Sequence, residues 1–185
     1  MKKTLLIALC SLAVLFAACK KEDQPEQPDP TPADYTAKYV GNYIGQFTLN
    51  IVSITMNNQQ QQNSAIPPVQ IDSVKMDITK GTEANTVTAT VTVDNKSHQT
   101  TGTVTDEKAH FEAVQVIIDE TSQLNTPYIF DLDLILDGTK VASDSLNVVG
   151  TFSGNGKATF PTPQGMQEQI IDEVSGTLSG KLVKQ

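Results

Sequence analysis

Apolar and polar residues alternate along much of the chain after residue 35, with the period of two that places successive side chains on opposite faces of a β-strand. From Val87 to Val93, valine or alanine alternates with threonine. Residues 74–79 show the same alternation, and residues 128–136 show it less cleanly because Ile129 and Ile135 fall on the polar face. The pattern predicts strands that are buried on one side only.

Eight or nine strands follow from this pattern and from the turn residues between its segments. They are predicted at 39–55, 69–79, 85–94, 98–105, 109–118, 127–137, 140–160 (taken as two strands) and 171–184. The segment 109–118 has an ambiguous phase, which indicates a bulge. The strongest turns are predicted at 80–82, 94–96 and 137–139. Residues 56–68 are predicted to form a long polar loop. Residues 164–171 are the segment where one or two helical turns could form.

A repeated glycine pattern indicates that the sheet closes into a barrel. The pattern large-x-Gly-x-large-x-Gly occurs at 39–45, 148–154 and 174–180. In a strand, each copy lines one face with large and small residues in turn, and such glycines allow a sheet to bend. Most connections are short, so we predict an all-β fold, a single antiparallel up-and-down barrel of about eight strands. Such a barrel is filled by its own side chains or holds one small ligand.

The N-terminus predicts export and lipidation. Two lysines precede an apolar run at 4–16 that is shorter than the about 20 residues of a membrane span, which is typical of a secretory signal. The tetrapeptide Phe16-Ala17-Ala18-Cys19 resembles the lipobox of bacterial lipoproteins. This resemblance implies cleavage before Cys19 and acylation of its sulfur, and several acyl chains give stable membrane anchoring. The alternative is an ordinary signal peptide followed by a free cysteine.

The chain is predicted to have three parts. Residues 1–18 are the lipoprotein signal peptide, and residues 19–34 are the lipidated cysteine and a disordered tether that is rich in proline and charge. Residues 35–185 form one barrel domain, a length that suits a single core. The charged segment 20–23 resembles the export signal of Bacteroidetes surface lipoproteins. It implies an outer-membrane lipoprotein that faces either the periplasm or the cell surface.

Charge and cysteine content exclude several function classes. Loss of Lys2 and Lys3 with the signal peptide leaves 11 of the 13 basic residues against 21 acidic ones, a balance of −10. Nucleic acid is excluded as a partner because its binding depends on clustered Lys and Arg. Cys19 is the one cysteine of the mature chain, which excludes disulfides and thiolate metal sites. No cofactor is predicted.

Two segments carry a family resemblance. Residues 39–49, Tyr-Val-Gly-Asn-Tyr-Ile-Gly-Gln-Phe-Thr-Leu, and residues 174–182, Val-Ser-Gly-Thr-Leu-Ser-Gly-Lys-Leu, resemble the calycin-like, lipocalin-like barrel lipoproteins of Bacteroidetes. The resemblance covers roughly residues 35–185 and implies a closed antiparallel barrel that binds lipid-like molecules. The chain lacks the Trp near the first strand that marks many true lipocalins.

Two functions follow as expectations. The first is an outer-envelope lipoprotein whose barrel binds a small hydrophobic or lipid-like ligand, because glycine and alanine interrupt the apolar face and leave room inside. The side chains predicted to contact this ligand are Tyr43, Phe47, Phe111, Phe130 and Phe152. The alternative is a structural or interaction lipoprotein with a filled barrel, which acts on an unknown protein partner through surface loops such as 56–68.

An enzyme is not predicted. His98 and His110 lie in strand-like segments, and each could act as a general base beside a carboxylate. Histidines among Ser, Gln and Glu are far more often solvated surface residues. The sequence contains no Gly-x-Ser-x-Gly, His-Glu-x-x-His or phosphate-binding loop.

Two patterns that contain aspartate suggest a metal site and sugar attachment sites. The carboxylates of Asp131, Asp133 and Asp137 could hold calcium, but their spacing matches no known calcium loop, so no metal is predicted. Asp72-Ser73-Val74 and Asp144-Ser145-Leu146 resemble the O-glycosylation motif of Bacteroidetes exported proteins. This resemblance implies Ser73 and Ser145 as sugar attachment sites.

Overall fold

A computed structural model describes residues 33–56, 59–62, 68–120 and 127–185, with the backbone alone at 59–62, 120 and 160–162. The predicted signal peptide, Cys19 and nearly all of the tether lie outside these residues. Residues Asp34–Gln185 form one compact unit.

The described chain contains one short helix and nine strands. The helix is α1 (Thr36–Tyr39). The strands are β1 (Gly41–Met56), β2 (Gln59–Gln62), β3 (Val69–Lys80), β4 (Thr86–Val93), β5 (Lys96–Val104), β6 (Lys108–Glu120), β7 (Tyr128–Ala142), β8 (Ser145–Thr162) and β9 (Gly165–Lys184). The alternating sequence of β4 produces an alternating burial pattern, as a strand covered on one face requires.

The sheet closes into an eight-stranded antiparallel barrel. Each strand from β3 to β9 pairs with the next, β1 pairs with β3, and β1 also pairs with β9. The β1–β9 ladder runs from Tyr43 opposite Lys184 to Thr55 opposite Glu173. The short β2 pairs only with the end of β1 and extends that edge. The predicted up-and-down barrel is therefore confirmed.

Some local predictions are confirmed and others are wrong. The turns near 81 and 94–95 lie where predicted, and β6 contains the expected bulge between Phe111 and Val114. Residues 137–139 form no turn, because β7 continues through them and turns at 143–144. The segment 140–160 is not two separate strands but the end of β7 and most of β8. Residues 164–171 are not helical, because β9 begins at Gly165.

The polar segment 56–68 is not a plain loop. Its residues Gln59–Gln62 form β2, which pairs antiparallel with Ser53–Met56. Residues 57–58 and 63–67 lie outside the described residues.

The two ends of the barrel differ. At one end, which we call the capped end, α1 lies against the β3–β4 and β5–β6 turns. Its neighbour Tyr35 donates a backbone hydrogen bond to Asn85 Oδ1 (2.8 Å), and Lys38 forms a salt bridge with Asp106 (3.1 Å). Tyr39 of α1 is fully buried in the core. We call the opposite end, where the Asp94–Asn95 turn joins β4 and β5, the mouth.

Glycines allow the strands of β1, β8 and β9 to approach closely. A Cβ at Gly45, Gly154 or Gly180 would meet a backbone carbonyl oxygen of the adjacent strand. These positions belong to the three predicted glycine repeats, which therefore lie at close approaches between adjacent strands.

Candidate functional site

The interior of the barrel is lined by apolar side chains, and solvent reaches it mainly from the mouth. Toward the capped end, Phe47 and Phe111 have no exposed surface. Toward the mouth, Ile51, Val69 and Tyr128 keep 8%, 6% and 9% of their surface exposed. Among these described lining residues, the surface that stays exposed thus lies toward the mouth.

The five predicted ligand-contacting residues all face the interior. Each is buried, and each belongs to the apolar core: Tyr43, Phe47, Phe111, Phe130 and Phe152. Phe130 and Phe152 lie in the mouth half, where the Phe130 ring stacks on Tyr128 with centroids 4.8 Å apart. Tyr43, Phe47 and Phe111 lie toward the capped end. The five residues therefore share the lining but do not form one cluster.

The spaces left by the inward glycines are occupied. A Cβ added at Gly180, Gly176, Gly156 or Gly102 would lie 2.5–2.9 Å from the ring of Phe47, Phe152, Phe130 or Phe111 respectively. Each phenylalanine is the ladder partner of the glycine that its ring covers. The glycines thus accommodate neighbouring rings, and the free volume expected from them is filled.

His98 faces the interior, contrary to the expectation of a solvated surface histidine. It is the ladder partner of Val91, which is buried in the core, and paired residues of an antiparallel ladder point to the same face. Its Nε2 is buried and has no hydrogen-bond partner in the described structure. The even-numbered phase that His98 shares with Gly102 and Val104 was the sequence signal for this orientation.

The capped end contains a small group of polar side chains. The Tyr43 hydroxyl donates to the Tyr39 carbonyl oxygen (2.8 Å), and Lys140 Nζ lies 5.1 Å from the centroid of the Tyr43 ring. Burial raises the pKa of both tyrosines and lowers the pKa of Lys140. The buried Tyr39 hydroxyl has no hydrogen-bond partner in the described structure.

The other histidine and the acidic series lie on the outer wall. His110 Nδ1 is 2.8 Å from Asp137 Oδ1, and Lys108 Nζ is 3.9 Å from the same oxygen. Asp131 accepts a hydrogen bond from Gln115 (2.8 Å). Among the described residues, no three His, Cys, Asp or Glu side chains are arranged to hold a metal ion.

The two serines of the glycosylation-like motifs have opposite surroundings. Ser73 is exposed in the β1–β3 register shift and has a positive φ of 59°. Ser145 is buried at the start of β8, with 6% of its surface exposed. Of these two serines, only Ser73 is exposed in the folded chain.

An open cleft of about 610 Å³ lies on the outer wall across β1, β8 and β9. Ile44, Val149 and Val183 contribute apolar surface, and Lys181 is the one charged side chain in the lining. None of the predicted ligand-contacting residues lines this cleft.

Comparison with known proteins gives no family for the chain: no protein-family model matches it, and no curated protein does. Within the part of the chain that the structure describes, no helix has the length and apolar character needed to cross a membrane.

Proposed function

We propose that this chain is a lipid-anchored protein of the outer envelope whose barrel binds a small hydrophobic or lipid-like ligand through the mouth. The observation that supports the ligand is the lining of the mouth half, which combines apolar side chains with partial exposure to solvent. Ligand pockets are mostly apolar concavities with a few placed polar groups, and His98 Nε2 supplies such a group. The lipobox-like tetrapeptide ending at Cys19 supports the anchor.

Native mass spectrometry of full-length protein, gently purified from membranes of the expressing bacterium, tests both the lipid anchor and the bound ligand. We expect a covalent mass increase on the peptide that begins at Cys19 and a non-covalent lipid that leaves on collisional activation. A polyene fatty acid whose fluorescence rises in apolar surroundings, cis-parinaric acid, then measures binding to the delipidated protein.

A matched pair of substitutions localises the ligand. Ala158 lies in the interior toward the mouth, whereas Ala142 is exposed near the capped end. We expect Ala158→Phe to weaken parinaric acid binding at least tenfold by filling the mouth half, and Ala142→Phe to leave it unchanged. Equal binding by both variants would contradict an interior site.

A second candidate is an interaction lipoprotein that acts through its outer surface. The phenylalanine–glycine packing inside and the outer cleft favour it, because that cleft has no carboxylate in its lining although the chain has 21 acidic residues. Depletion of charge is typical of the centre of protein interfaces. An intact barrel that holds no lipid and ignores parinaric acid would favour this candidate over the carrier.

A further inference from the structure

His98 combines an inward position with an unsatisfied polar atom. Its neighbour on the same face, Thr100, uses its hydroxyl to donate to the Glu112 carbonyl oxygen (2.9 Å). His98 Nε2 is buried and unpaired in the described structure. Buried polar atoms in folded proteins almost always have a hydrogen-bond partner, since leaving one unpaired costs free energy. A guest in the barrel would supply that partner.

The wall beside His98 is the least paired part of the barrel. In the described chain, β5 and β6 share three ladder pairs, from Gly102 opposite Phe111 to Val104 opposite Ala109. Every other pair of adjacent barrel strands shares six or more. No ladder pair joins 96–101 to 112–119, and we call these two facing edges the β5–β6 seam. A bulge in β6 at 112–113 lies at the point where the pairing ends.

The surroundings of His98 restrict the chemistry of such a guest. The inner side chains of the adjacent strands are apolar and fully buried, including Val91 on β4 and Val116 and Ile118 on β6. Because the Thr100 hydroxyl is already engaged, His98 Nε2 is the unpaired side-chain polar atom that this stretch of β5 presents to the interior. A guest that suits this site has a single polar group at one end of an apolar body.

We infer that His98 at the β5–β6 seam binds the polar end of a single-chain amphipathic ligand, such as the carboxyl group of a fatty acid. The hydrocarbon chain then lies along the lining of the mouth half. This inference rests on the proposed carrier function and names its ligand class and its polar contact. The neutral imidazole can present Nε2 as donor or acceptor, so the ligand selects the tautomer.

Two probes separate the polar contact from apolar burial. cis-Parinaric acid has a carboxyl group, and diphenylhexatriene is a fluorescent hydrocarbon without one. We expect His98→Leu to weaken parinaric acid binding about tenfold or more, the factor expected from one lost hydrogen bond to a charged group. Diphenylhexatriene binding should change less than twofold, and His98→Gln should restore part of the parinaric acid affinity.

His110 provides the matched control because it is the other of the two histidines and lies on the outer wall. His110→Leu should leave the binding of both probes unchanged. In nitrogen NMR spectra of the wild-type protein, parinaric acid should shift the His98 ring signals and leave those of His110 in place. This measurement needs no substitution and so holds even where a variant fails to fold.

The outcomes distinguish this inference from the proposed function. If His98→Leu binds both probes like the wild type, or loses both equally, the polar contact lies elsewhere and the inference is overturned while the carrier stands. An unshifted His98 signal in protein saturated with parinaric acid also overturns it. If neither probe binds the wild type, the carrier itself fails, and this inference fails with it.

Discussion

Phenylalanine rings packed on glycines of the neighbouring strand recur in the interior. Phe47 on β1 covers Gly180 on β9, and Phe152 on β8 covers Gly176 on β9. Each pair joins two strands and fills the space that a side chain would otherwise occupy. Close packing of this kind contributes dispersion contacts that are lost if either partner changes size.

We expect Gly180→Ala to lower the free energy of unfolding by about 1–3 kcal/mol, because the added methyl group would overlap the Phe47 ring and the Gln46 carbonyl oxygen. Urea unfolding followed by circular dichroism measures the change. The control is Ser179→Ala, an exposed neighbour on the same strand, which should change stability by about 0.5 kcal/mol or less. Equal stability of Gly180→Ala and wild type would show that Phe47 has free volume beside it.

Single residues also show what the sequence could and could not predict about the site. The inward positions of Phe130 and Phe152 followed from the strand period and are confirmed. The Ser and Gln neighbours of His98 indicate a surface position, whereas its phase within β5 indicates the inward position that the structure has. No local pattern could reveal that its Nε2 would remain unpaired, since this depends on where β6 ends its pairing with β5.

At the scale of elements, cross-strand pairing overrides local turn propensity. Asp137-Gly138-Thr139 has the composition of a turn, yet it lies within β7. The Asp137 carboxylate pairs with His110 on the outer wall, and Gly138 makes room for the Leu146 side chain on β8. His110 lies 27 positions from Asp137, so the composition of residues 137–139 alone does not reveal this pairing.

The helix α1 is attached by a small set of contacts around Asp34. Its carboxylate accepts hydrogen bonds from the Thr36 backbone (3.0 Å), the Thr36 hydroxyl (2.7 Å) and Lys80 Nζ (2.6 Å). These hydrogen bonds, with that from Lys80 the strongest, hold the pKa of Asp34 well below its usual range. A lowered carboxyl pKa means that the attachment is present at neutral pH and is lost only as strong acid protonates Asp34.

We expect Asp34→Ala to loosen α1 and to speed hydrogen exchange at the amides of Tyr39 and Val40, while β7 and β8 keep their protection. Hydrogen-exchange mass spectrometry at neutral pH measures the difference. Asp77→Ala, which removes an exposed carboxylate from β3, is the control and should leave exchange in α1 unchanged. Unchanged exchange in Asp34→Ala would show that the burial of Tyr39 and the contacts of Tyr35 and Lys38 hold the helix without Asp34.

At the scale of the whole molecule, the fold class could be predicted because alternation and repeated glycines act along the entire chain. Closure of the sheet followed from the three glycine repeats and is confirmed by the pairing of β1 with β9. Ladder lengths were not predictable, because they are set by bulges such as the one at Phe111–Val114. The sequence therefore predicted the barrel but not the β5–β6 seam.

Almost complete burial of Tyr39 and Tyr43 makes the stability of the whole barrel sensitive to alkaline pH. Burial raises the pKa of Tyr39 and Tyr43 in the folded chain, whereas unfolding returns them to about 10. The folded state then holds more protons than the unfolded state above pH 10, so stability falls as pH rises through that range.

Ultraviolet absorbance and circular dichroism, recorded together during an alkaline titration, measure this coupling. We expect part of the tyrosine ionisation to coincide with loss of the strand signal. In Tyr43→Phe this coincident part should shrink. Complete tyrosine ionisation in a barrel that stays folded would contradict the buried positions of both rings.

The pairing of the first barrel strand with the last also has a kinetic consequence. The hydrogen bond from Lys184 Nζ to the Val40 carbonyl oxygen spans 144 positions along the chain, and the β1–β9 ladder joins strands almost as distant. Folds dominated by such long-range pairs form slowly, since most of the chain must be ordered before these pairs can form. A nascent chain that has not yet produced β9 cannot complete its barrel. For the exported lipoprotein proposed above, this delay would keep the polypeptide unfolded long enough to pass through a secretion channel, and the barrel would close after export.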